Sequence, residues 1–144
     1  MIVLDTNVVS EPFRKIPSAA LMDWMRRQPP ETLYLSTVSM GELLAGLRTM
    51  AAGRRRDTFA ARLDLVLRED FAERILPFDA AAASEYAEIR ATGRAAGWGL
   101  APFDEQIATI ARSRGIAVAT RDSNGFADCG IPVINPWEHQ EPTP

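Results

Sequence analysis

Residues 1–11 read MIVLDTNVVSE. Met1 to Leu4 form a short apolar run rich in branched residues, the signature of a strand buried on both faces in a parallel sheet. The run ends abruptly in Asp5-Thr6-Asn7. An ionised carboxylate at the end of a buried strand is costly unless something pairs with it. Asp5 therefore either caps the turn that follows or is delivered to a site by the strand.

The remaining elements alternate. Ser18 to Gln28 is expected as an amphipathic helix, with Leu21, Trp24 and Met25 at helical spacing and Pro29-Pro30 as its stop. Thr32 to Leu35 reads as a second strand, Val38 to Ala51 as a helix, and Arg55 to Asp70 as a longer one with Phe59, Leu63, Val66 and Leu67 as its stripe. A third strand is expected over Arg74 to Phe78. Asp79 then opens an alanine-rich helix that lasts to about Gly93. Pro102 starts another helix ending near Gly115, followed by strands at Ile116 to Thr120 and Ile131 to Ile134. Short apolar strands separated by helices predict an α/β fold of three layers, α/β/α, around a parallel sheet of about five strands. One domain is expected over 1–136, with a helical arm at 38–70 and a polar, flexible tail at 137–144.

The chain has 144 residues, 47% apolar and 24% charged, ordinary values for one globular domain. No apolar stretch is long enough to span a bilayer. No basic segment precedes the first apolar run, which argues against a secretory signal, and the expected compartment is the cytoplasm. The single cysteine, Cys129, excludes an internal disulfide and a Cys-rich metal framework. Net charge is −3, yet the cations are almost all arginine, with Lys15 the only lysine. Arginine's planar fork suits phosphate. The densest cluster is Arg54-Arg55-Arg56, and such clusters alone are equally explained as a solvated helix face.

Four acids carry the chemistry. In open α/β sheets ligands sit at the carboxyl ends of strands, where Asp5 lies. Asp122 follows the fourth strand in ATRDSNGF, a sequence that also makes a surface turn. Asp104 opens the helix APFDEQIATIARSRG. It shares a stripe with Ile107, Ala108 and Ala111, whereas Glu105 lines up with Thr109 and Arg112 on the side expected to face water. Glu42 fits a capping box with Ser39, but shares a face of small residues, Ala45 and Gly46. Singly, each acid has a structural explanation. Together they occupy one rim, where two carboxylates 4 Å apart repel by about 4 kcal/mol at an effective dielectric near 20. Oxygen-only ligands select Mg²⁺ or Mn²⁺ over zinc. The one histidine, His139, lies in the tail, so a histidine base, a Ser-His-Asp triad and a zinc centre are poorly supported. Nor does the chain carry G-x-x-x-x-G-K-[ST], or G-x-G-x-x-G after a strand.

MIVLDTNVVSE, STVSMGELLAGL, APFDEQIATIA and ATRDSNGF…PVINPWE, in that order and spacing, resemble PIN-domain ribonucleases, in particular the VapC-type toxins of bacterial toxin–antitoxin pairs and their FitB-like branch. The resemblance implies Asp5, Glu42, Asp104 and Asp122 as an acidic quartet binding one or two Mg²⁺ or Mn²⁺ ions. It implies Thr6, Asn7 and Thr120 as the polar groups that orient them. It further implies endonucleolytic hydrolysis of RNA by metal-activated water, a homodimer, and neutralisation by a small antitoxin protein lying over the helices. Apolar residues of the arm, Leu44, Leu47, Met50, Phe59 and Leu63, are divided between core and partner groove. Relatives often carry an acid just before the counterpart of Phe126, where this chain has Gly125. Two other readings remain: a catalytically silent PIN-like module that binds nucleic acid or protein, and a Mg²⁺-dependent nuclease acting on other nucleic acids.

Overall fold

The structure is a computed structural model and describes residues 1–138. Five strands form one parallel sheet: β1 (Ile2–Leu4), β2 (Leu33–Ser36), β3 (Ile75–Leu76), β4 (Ala117–Ala119) and β5 (Val133–Ile134), in spatial order β3-β2-β1-β4-β5. The register pairs Val3 with Tyr34 on one side and with Val118 on the other. β2 and β3 leave β1 in one direction, β4 and β5 in the other. The switch point of the sheet thus lies between β1 and β4, where the general rule for such folds places a ligand.

Among the described residues, seven α-helices join the strands: α1 (Thr6–Ser10), α2 (Ala19–Arg27), α3 (Thr37–Thr49), α4 (Arg54–Leu65), α5 (Ala80–Ala96), α6 (Pro102–Arg114) and α7 (Ser123–Phe126). Successive strand residues point to opposite faces. Leu4 accordingly enters a core with Val8, Leu21, Trp24, Leu35 and Leu63, while Val3 enters another with Ile89, Ile107, Val118 and Phe126. These two cores, one on each side of the sheet, make the expected three layers.

The differences from the sequence reading have local causes. Residues 6–10 form a helix rather than a turn, because Val8 and Val9 are buried and packing overrides their weak helix propensity. The arm's long helix breaks at Leu65, and Val66–Asp70 widen into a π turn. The third strand shrinks to Ile75–Leu76. Trp137, placed in the tail by sequence, packs against the first core, and the remaining tail residues, His139 included, lie outside the described residues. Among the arm residues, Leu63 is buried, while Leu44, Leu47 and Phe59 are half-buried against the core.

α5 runs past Gly93 to Ala96 and ends at Gly97, whose φ of 79° is left-handed. Gly93 is needed for another reason: a Cβ there would lie 2.7 Å from the Trp98 carbonyl oxygen and 3.1 Å from its ring. The Trp98 N–H also donates to the Gly93 carbonyl at 2.9 Å, fixing the approach. Gly93→Ala should therefore destabilise the fold by about 1–3 kcal/mol, the usual cost of overpacking. A thermal melt checks this, and an unchanged midpoint would refute the tight contact.

Candidate active site

At the switch point Asp5 caps the helix that follows and stands among other carboxylates. Asp5 is 3% exposed. Its Oδ1 accepts the Thr6 N–H at 2.7 Å, capping α1, and its Oδ2 accepts the Thr120 hydroxyl at 2.8 Å. The backbone of Asp5 continues the sheet by donating to the Ala119 carbonyl at 2.9 Å. Strand, cap and cross-strand hydroxyl together leave this carboxylate one orientation. Burial pushes its pKa above the usual value, the two hydrogen bonds oppose that shift, and the charges of Glu42 and Asp122 add to it.

Glu42 is not part of a capping box. The cap of α3 is Ser36, whose Oγ accepts the Ser39 N–H at 2.9 Å. Glu42 is thereby released one turn into the helix, where Thr6 Oγ1 stands 2.7 Å from its Oε1. Thr6 Oγ1 also lies 2.9 Å from Ser39 Oγ. A hydroxyl has one proton and a carboxylate only accepts, so Thr6 donates to Glu42 and receives from Ser39. Ser39 thus supports the site, a role its sequence position in an apparent cap concealed.

Asp104 sits in the first turn of α6, half-buried, and its carboxylate accepts no hydrogen bond among the described residues. It is no cap. Burial, then the charges of Asp5, Glu42 and Asp122, push its pKa up to about 6. The expectation that Glu105 faces water is overturned. Glu105 is 4% exposed and ion-paired with Arg90 at 2.7 Å, because α5 packs along that side of α6. Thr109 and Ile110 are also fully buried, so α6 is enclosed nearly all round and stripe arguments lose their force there.

Asp122 is exposed and caps α7, accepting the Gly125 N–H at 3.0 Å, while its own N–H donates to Thr120 Oγ1 at 3.1 Å. It is a turn residue whose charge nonetheless acts on both Asp5 and Asp104. A Cβ at Gly125 would meet Asp122 Oδ2 at 2.4 Å, so the space beside position 125 is filled by the carboxylate from position 122. Asn7 is exposed, and no hydrogen bond joins its side chain to the acids among the described residues. Between Thr120 and Asp122 stands Arg121, missed by sequence reasoning because it belongs to no cluster. It is exposed, with its guanidinium 5.3 Å from the Trp137 ring centre.

The donors suit a hard divalent cation, being oxygen only and mutually repelling. Among the described residues no three acidic, histidine or cysteine side chains are drawn close enough to share one ion. Among those residues Asp104 accepts no hydrogen bond and Asp122 accepts one, so both are less fixed than Asp5, which accepts two.

Residues 2–131 match the sequence profile of the PIN domain. The chain belongs to the PIN-domain family. Its PIN-domain relatives include "Plasmid stability protein StbB" of Pseudomonas syringae pv. tomato, 48% identical over 96% of this chain and 99% of that one. "VapC ribonuclease Y4jK" of Sinorhizobium fredii is 44% identical over the same shares. Among solved PIN structures, FitAcB from Neisseria gonorrhoeae superposes with a TM-score of 0.92 at 37% identity, covering 96% of this chain and all of that one. A Mycobacterium tuberculosis structure described as a member of the VapBC family of toxin-antitoxin systems gives 0.67 at 28% identity, over 92% and 95%. These likenesses place the chain with the VapC-type members of the PIN family.

Proposed function

We propose that this chain is a Mg²⁺- or Mn²⁺-dependent endoribonuclease, the toxin of a toxin–antitoxin pair. The observation that carries the reading is the mutual action of four carboxylates at the switch point, strong enough with burial to push Asp104 up to about 6. Buried carboxylates that raise one another's pKa in this way are typical of functional sites. Asp5, Glu42, Asp104 and Asp122 would hold the cation, which when bound makes water a nucleophile at neutral pH and neutralises charge on the leaving oxygen. The chain's own contribution is orientation. Thr120 holds Asp5 and the backbone of Asp122, and Thr6 with Ser39 holds Glu42. Arg121, exposed on the same rim, is placed to meet a substrate phosphate.

Two surfaces suit protein partners: a second copy of the chain, and an antitoxin of the kind for which the solved toxin–antitoxin structures are named. Beside Glu42 a cleft of 540 Å³ is lined by Val38, Gly41, Ala45, Phe78 and Phe103. Phe78 is 38% and Phe103 54% exposed, which suits this face to a second copy of the chain. On the other side, a cleft of 310 Å³ between Val9, Met25, Leu65 and Phe71 is mostly apolar, with Arg62 and Asp70 also on its lining and Leu65 52% exposed, and suits an antitoxin segment. No helix among the described residues is long and apolar enough to cross a membrane.

A catalytically silent module is the second reading, and the spacing of the acids favours it: no three share an ion position as they stand. One experiment separates the two. Purified protein, freed of any co-purifying partner, is incubated with single-stranded RNA in Mn²⁺ or in EDTA. Cutting in Mn²⁺ alone is expected. Inertness on several RNAs would sink the nuclease reading in favour of the module.

A further inference from the structure

A third cleft, of 710 Å³, lies between the turn at Glu11–Phe13 and the first half of α4. Arg14, Arg54, Arg55 and Arg62 line it above Phe13 and Phe59, and no carboxylate is among its lining residues. The guanidinium of Arg62 lies 4.7 Å over the Phe13 ring, and that ring packs edge-on against Phe59 at 4.8 Å. Arg62 also donates to the Pro12 carbonyl at 2.9 Å. Arg14 has a single long pairing with Glu11, at 3.5 Å. Arg54 and Arg55 make no ion pair or hydrogen bond among the described residues.

This concentration of charge is locally unfavourable. Four arginines line the same cleft, and Arg54 and Arg55 stand in the first turn of α4; the one acid of that turn, Asp57, does not line the cleft. Cations at that end of a helix oppose its dipole by about 0.3–1 kcal/mol each. In a chain of net charge −3, so one-sided an arrangement calls for a polyanion.

We propose that this cleft is an exosite that grips the backbone of single-stranded RNA flanking the bond to be cut. It rests on the ribonuclease reading above. Arginine forks match phosphate oxygens in pairs, and an aromatic floor accepts any base by stacking. The cleft is also in reach of the acids. Thr6, which holds Glu42, begins α1, and Ser10, which borders the cleft, ends it, a span of about 6 Å at 1.5 Å per residue. One RNA strand can therefore lie in both. An acidic protein segment is the competing occupant, but the apolar cleft next to it is the better seat for protein.

The test is steady-state cleavage of oligouridylate in Mn²⁺ by wild type and by the double variant R54A/R55A, at several salt concentrations. The exosite requires KM to rise about tenfold with kcat nearly unchanged. Loss of two phosphate contacts should also make the salt dependence of log KM shallower by about 1.4, at 0.7 per contact for single strands. Should the double variant melt early, R14A on the opposite wall gives the same reading. An unchanged KM in a folded variant overturns the exosite while leaving the nuclease intact. Loss of antitoxin binding with KM unchanged overturns it in favour of a protein seat. If wild type itself cuts no RNA, the nuclease reading falls first and the exosite with it.

Discussion

Asp5→Asn should lower RNA cleavage by at least about 100-fold, beyond the range typical of groups that merely support a metal ligand, and should leave the fold intact. Asparagine is nearly the same shape. Its amide oxygen can still accept the Thr6 N–H, and its NH₂ can donate to Thr120 Oγ1, where the carboxylate now accepts. Burial raises the pKa of Asp5, so the folded chain disfavours the charge it holds at neutral pH. A neutral replacement removes that penalty, and without divalent ions the variant should melt no lower than wild type. The added stability conferred by Mn²⁺ should fall with activity. Wild-type cleavage by the variant would remove Asp5 from the mechanism, whereas lost cleavage together with a collapsed melting temperature would indicate damage to the fold.

In EDTA, wild type should melt at a higher temperature at pH 5 than at pH 7. Asp104 has a folded pKa of about 6 against 3.8 for the unconstrained group. A group raised in this way stabilises the fold fully below its unfolded pKa, and that contribution is lost as pH rises through the folded value. Asp5 is shifted in the same direction. Asp79 is shifted downward, so its contribution is lost only in more acidic solution, below its unfolded value of 3.8, and is constant across this window. After allowing for partial exposure of Asp104, the loss between pH 5 and pH 7 is about 1 kcal/mol. That corresponds to a few degrees for a chain of this size. Mn²⁺ should reverse the loss at pH 7 and do little at pH 5, where protons compete for the same oxygens. A melting temperature that rises from pH 5 to pH 7 in EDTA would contradict the crowding of the four acids.

The sequence was most legible where one force dominated. The buried run Met1–Leu4, ending in Asp5, placed the first strand and brought a carboxylate to its end, where it caps the next helix beside other acids. It was misleading where two residues could play one part. Ser36 and Ser39 stand equally well before the helix, and the wrong choice made Glu42 look like half of a cap. The acids of α6 were separated by an argument from helical faces that fails for a helix enclosed nearly all round. Asp104 remained a candidate for the right rim, while Glu105 proved the more deeply buried. Trp137 was assigned to the tail because nothing in its neighbours signals the core it meets.

The bond between Thr120 and Asp5 joins residues 115 positions apart. Contacts of such separation close late, since the loop between them must first be ordered. During synthesis Asp5 and Glu42 emerge early, while Asp104, Thr120 and Asp122 lie more than sixty residues further along. A growing chain tethered to the ribosome, itself largely RNA, thus carries only half of the proposed ligand set. The order of residues along the chain keeps those two halves apart until residues 104–122 have been made.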